Sequence, residues 1–247
     1  MIVGSGDHHV LVLHGWFGSA RGWGALPGYL DPSAYTYVFM DLRGYGSRRD
    51  VAGDFTMQEA AADAVALADE LSWDRFSLVG HSMSGQAIQH VLLQAPGRVR
   101  RLVALNPVPA TGVPMDDDEW ALFSGAAASR DNRFAIINFT TGGRLPGAFV
   151  DHIVQHSLDN SAAGAFGAYL GSWAKTDFSD QVKGNQAAVK VIVGEHDPAL
   201  SAAVMEQTWL RFYPGAELEV VPNAGHYPMF ETPAALAASI EEFLGRD

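Results

Sequence analysis

The chain has 247 residues, 48% hydrophobic and 18% charged, enough for one large globular domain with a full core. With no cysteine it can hold neither disulfides nor thiolate-bound metal, and nothing in it points to an oxidising compartment. A formal charge of −12 argues against nucleic acid and anionic membrane surfaces as partners. No apolar stretch approaches the length of a membrane span, and no basic segment leading into an apolar one opens the chain, so a cytoplasmic location is expected.

The first strong strand pattern covers residues 10–13 and runs into His14-Gly15-Trp16-Phe17-Gly18. Only nine residues precede Val10, so any strand before it is confined to residues 1–4 or missing. The two glycines let the loop turn inward, and His14 is expected to brace it through hydrogen bonds. A second strand, 35–40, leads into Asp41-Leu42-Arg43-Gly44-Tyr45-Gly46-Ser47; Arg43, Arg48 and Arg49 are expected to brace that loop or lie in solvent. A helix is predicted over 56–71.

The next strand, 76–79, ends in Gly80-His81-Ser82-Met83-Ser84-Gly85, and a helix follows over 86–94. A serine between a strand and a helix, with small residues at 80, 84 and 85, fits a tight turn that pushes its hydroxyl out of the sheet. The fifth position of this nucleophile elbow is Ser84 in place of glycine, still a small side chain. After the strand at 101–105, residues 109–180 break the alternation and read as short helices over 116–127, 130–138, 147–157 and 162–175. They are expected to form a cap (109–180) inserted in a core made of 1–108 and 181–247. The run Asp116-Asp117-Asp118-Glu119 suits a solvated helix N-terminus. His152 and His156 share a helix spacing, but the pattern lacks the glutamate and third ligand of a zinc site, and no metal is expected.

The strand at 189–193 is followed by Gly194-Glu195-His196-Asp197-Pro198, and the strand at 217–221 by a loop ending in Gly225-His226 before a C-terminal helix. Strands alternating with helices predict an α/β fold with a mostly parallel sheet covered on both faces. In such sheets functional residues collect beyond the carboxyl ends of the strands. Ser82, Asp197 and His226 all fall there, in the order nucleophile, acid, base. A serine hydroxyl needs a base in contact and a third group to orient that base. Asp197 suits the third role better than Glu195; the alternative for Asp197 is a capping aspartate before a helix starting near Ala199.

Taken together, His14-Gly15-Trp16, Asp41–Ser47, Gly80–Gly85, Gly194–Pro198 and Gly225-His226 resemble the α/β-hydrolase superfamily, and within it the compact serine esterase and cofactor-free, haloperoxidase-like perhydrolase group. The His-Gly-Trp loop is similar to that of aryl esterases. The fold implied is an α/β-hydrolase with a helical cap before the strand carrying the acid, and with the usual N-terminal hairpin shortened or absent.

The chemistry implied is cleavage of a small to medium apolar or aromatic carboxylic ester through an acyl-enzyme, with no cofactor. Ser82 attacks, His226 is the base, and Asp197 orients it. Backbone N–H groups of Trp16 and Met83 hold the oxyanion. Phe17, Trp173, Tyr227 and Met229 are expected to line the substrate pocket. A serine nucleophile leaves lactone hydrolysis, perhydrolysis and carbon–carbon cleavage open, and some proteins of this fold act as small-molecule receptors with vestigial hydrolysis. The histidine base must be neutral, and free imidazole titrates near pH ~6.5, so activity should fall in acid.

Overall fold

The structure is a computed structural model and describes residues 1–246. Seven strands make one sheet: β1 (Ile2–Gly4), β2 (His8–Leu13), β3 (Tyr35–Met40), β4 (Phe76–His81), β5 (Val99–Leu105), β6 (Val189–Gly194) and β7 (Glu217–Val221). Their order is β1-β3-β2-β4-β5-β6-β7, with every neighbouring pair parallel except β1 against β3. Residues of β4 and β6 are buried throughout, as expected for central parallel strands covered on both faces. What precedes Val10 is thus a three-residue edge strand and the start of β2, which begins two residues earlier than the apolar run because His8 and His9 pair with Tyr35 and Thr36.

Two helices flank the first half of the sheet: α1 (Met57–Glu70) and α2 (Ser84–Gln94). Helix α1 buries Met57, Ala60, Ala61, Ala64 and Ala68, one face at helical spacing, and Thr56 caps it by accepting from the Glu59 N–H. Five helices lie between β5 and β6: α3 (Asp117–Gly125), α4 (Arg130–Thr140), α5 (Gly147–Asn160), α6 (Ala163–Lys175) and α7 (Ser179–Val182). The acidic run is a capping box, with Asp116 accepting from the Glu119 N–H and Glu119 accepting from the Asp116 N–H. The remaining helices are α8 (Ala202–Gln207), α9 (Trp209–Phe212), α10 (Pro228–Glu231) and α11 (Pro233–Leu244). No described helix is long and apolar enough to cross a membrane.

The chain leaves β2 toward β3 on one side and returns to β4 on the other, so the strand order reverses between β2 and β4. That reversal opens a crevice at the carboxyl ends of the two strands. Loops after β2, β4, β5, β6 and β7 converge there, carrying His14–Gly18, Ser82, Asn106, Asp197 and His226.

Candidate active site

Ser82 sits between β4 and α2 with φ +54°, a left-handed conformation that non-glycine residues seldom adopt. Its N–H donates to the Leu105 carbonyl (3.0 Å), and its own carbonyl accepts from Gly85 (2.9 Å) and Val108 (2.9 Å), so the strained turn is held from three sides. A side chain at Gly85 would come within 2.5 Å of Pro107 Cβ, which explains the small residue where α2 crosses the end of β5. Ser84 does more than stay small. Its hydroxyl donates to the His14 carbonyl (2.6 Å), tying the start of α2 to the loop after β2.

Ser82 Oγ lies 2.9 Å from His226 Nε2, and His226 Nδ1 lies 2.6 Å from Asp197 Oδ2. Asp197 is buried, with Oδ1 accepting from the N–H groups of Ala199 (3.0 Å) and Leu200 (3.2 Å). It therefore caps its own loop with one oxygen and meets the imidazole with the other. Glu195 points away, exposed, and accepts from the Asn223 N–H (3.1 Å). Asn106, beyond β5, donates through Nδ2 to Asp197 Oδ2 (2.8 Å). Sequence reasoning passed over Asn106, although its place at a strand's carboxyl end was a usable signal.

His81 holds His226 from behind. Its Nε2 must carry the proton, because it donates to the His226 carbonyl (2.9 Å). His14 braces the loop after β2 as expected: Nδ1 donates to the Gly15 carbonyl (2.8 Å) while Nε2 accepts from the Leu42 N–H (3.2 Å). A Cβ at Gly15 would be 2.9 Å from Ser82 Cβ and 2.5 Å from His81 Nδ1, so this loop's backbone passes in contact with the serine. The backbone N–H groups of Trp16 and Met83 have no acceptor among the described residues. Met83 stands at the N-cap of α2, where the helix field favours negative charge.

Above Ser82 and His226 opens a pocket. Trp16, Phe17, Trp173 and Tyr227 line it, joined by Val108, Val113, Met115, Phe123, Ile136 and Leu200. Met229 does not. The proline-started turn of α10 directs it to a separate, smaller cavity behind the loop, beside Trp23, Ile153 and Phe230. Closeness to His226 in sequence misled, because the chain turns sharply at Pro228. Among the described residues no group of His, Asp or Glu side chains is placed to hold a metal ion. His156 instead meets Ser19 Oγ (3.0 Å), and His152 packs edge-on against Phe230.

Burial pushes His14 down to about 4, against the opposing pull of its Gly15 hydrogen bond and Asp41; it also drives His81 well below the usual imidazole range and lowers His156. The unfolded chain protonates these rings near pH ~6.5 while the folded ones resist. Between those values the unfolded state binds more protons, so stability falls as pH drops from about 6.5 toward 4. His14 alone is worth roughly 3 kcal/mol over that window, several degrees of melting temperature. Thermal melts at pH 7, 6, 5 and 4 should show the decline; a melting temperature flat across the series contradicts it.

A sequence model described as the alpha/beta hydrolase family matches residues 10–239, and the chain belongs to that family. It is 25% identical over 250 residues to the dihydrolipoyllysine-residue acetyltransferase component of an acetoin cleaving system from Cupriavidus necator, covering 98% of this chain and 65% of that protein's length. It is also 25% identical to a non-heme haloperoxidase of Rhodococcus erythropolis, over 88% of this chain and 85% of the relative. An esterase structure from Exiguobacterium antarcticum superposes with a TM-score of 0.88 at 18% identity, covering 100% of this chain and 94% of that one, which shows a shared fold.

Proposed function

We propose that the protein is a serine esterase that hydrolyses small to medium carboxylic esters with an apolar or aromatic group. The observation that carries this is the contact of Ser82 Oγ with His226 Nε2 (2.9 Å) at the base of a pocket with almost wholly apolar walls. Ser82 Oγ attacks the ester carbonyl carbon, and its proton passes to His226 Nε2. Asp197 holds the proton on Nδ1 and stabilises the imidazolium. The carbonyl oxygen, now an oxyanion, is received by the free N–H groups of Trp16 and Met83. The alkoxide leaves with the proton from His226, and a water activated by the same ring cleaves the acyl-enzyme. The same intermediate would accept hydrogen peroxide in place of water, a perhydrolase side reaction in keeping with the haloperoxidase relative. Neither Arg nor Lys is among the lining residues, so the pocket does not favour the acidic substrates of carbon–carbon hydrolases.

A panel of aryl esters of increasing acyl length, with lactones and thioesters, tests the reading. Fast multiple turnover is expected on short and medium acyl chains, falling steeply once the chain outgrows the slot. A single slow turnover accompanied by a ligand-dependent rise in melting temperature would instead mark a receptor.

A further inference from the structure

Arg133, on α4, is 1% exposed, yet among the described residues its hydrogen bonds go only to neutral oxygens: the Ala126 carbonyl (2.8 Å), Ser157 Oγ (2.6 Å) and Ser161 Oγ (3.1 Å). A buried cation without a carboxylate is expensive, and an apolar side chain of similar volume would serve packing alone better. Its guanidinium carbon lies 3.8 Å from the centre of the Phe166 ring on α6. Trp16 stacks on the same ring at 4.0 Å and 17°. Groups this close cannot share one face of a ring, so Arg133, Phe166 and Trp16 form a three-layer stack with the phenyl group between. The Trp16 indole N–H donates to the Phe166 carbonyl (2.7 Å), and the Trp16 carbonyl accepts from the Tyr45 hydroxyl (3.0 Å). Tyr45 in turn bridges to Ser161, which meets the same guanidinium.

We propose that Arg133 is a positioning residue: through Phe166 it holds Trp16 so that the Trp16 backbone N–H is aimed at the oxyanion. The helices between β5 and β6 then complete the oxyanion hole as well as wall the pocket. This rests on the esterase reading. The guanidinium over one face anchors the phenyl ring, and the ring so fixed is the surface on which the indole stacks. Small displacements of an oxyanion donor are felt in the transition state and hardly in ground-state binding.

The test compares wild type with Arg133→Met, Arg133→Lys and Phe166→Leu on a short aryl ester, and measures inhibition by an aryl boronic acid, which forms a tetrahedral anion on Ser82. Arg133→Met is expected to lower kcat by roughly 10- to 100-fold with KM within about 2-fold, and to weaken boronate inhibition by a similar factor. Its melting temperature should change little, since relief from burying a cation without a carboxylate offsets the hydrogen bonds lost to Ala126, Ser157 and Ser161. Arg133→Lys, which keeps a cation over the ring, should recover part of the loss. Phe166→Leu removes the stack without touching the charge and should show the same kcat effect, so the test survives if the methionine variant fails to fold. Unchanged kcat in Arg133→Met and Phe166→Leu overturns the proposal, as does a loss that only follows a falling folded fraction. A wild type that neither turns over the ester nor binds the boronate refutes the esterase reading and this proposal with it. A fully active wild type with an equally active Arg133→Met refutes this proposal alone.

Discussion

Ser82→Ala is expected to lower kcat on an activated aryl ester by roughly 10⁵- to 10⁶-fold while leaving the fold intact. Among the described residues the hydroxyl's one hydrogen-bond partner is His226 Nε2, so its removal strips no support from the turn. The backbone bonds to Leu105, Gly85 and Val108 stay, and alanine tolerates a φ of +54° no worse than serine. Circular dichroism and a thermal melt should match wild type. Glycine at the same position would release the strained φ, so Ser82→Gly should be equally inactive yet melt higher. Retained turnover by Ser82→Ala would mean that another group supplies the nucleophile.

The second large effect is expected from Asp197→Asn, a change of one atom that should cost about 10⁴-fold in kcat. Oδ1 of Asp197 is pinned by the N–H groups of Ala199 and Leu200, so an asparagine must keep its carbonyl oxygen there. Its NH₂ then takes the place of Oδ2, facing His226 Nδ1 and the Asn106 amide. Two donors oppose each other, and the imidazole is driven to accept at Nδ1. Its proton moves to Nε2, where it can no longer receive one from Ser82. Activity should recover partly at high pH, where hydroxide can take the serine proton in place of the imidazole. Equal kcat at pH 7 for the variant and wild type would show that Asp197 merely caps its loop.

How much of this was legible in the sequence depended on how local the signal was. Parallel strands buried on both faces leave continuous apolar runs, so β6 was delimited to within one residue, while β3 and the half-exposed edge strand β7 were delimited to the residue. Ser82, Asp197 and His226 stood out because the chemistry needs those residue types beyond strand ends, and the structure brings all three within hydrogen-bond reach. The four-residue helices α7, α9 and α10 left no trace, since a single turn has no periodicity to detect. Arg133 falls inside the helix predicted over 130–138 with nothing in the sequence to set it apart; only the packing of α4 shows it buried on Phe166. Ser84 read as a tolerated departure and proved to be a tie to His14. Met229 shows the opposite error, a neighbour in sequence carried away by one turn of helix.

The most direct measurement is acid-quenching of the enzyme during turnover of a p-nitrophenyl ester, followed by peptide mapping by mass spectrometry. An acyl group on the peptide carrying Ser82, absent from Ser82→Ala, is the result expected. Sustained turnover with no acyl adduct, or with the adduct on another residue, would contradict covalent catalysis at Ser82.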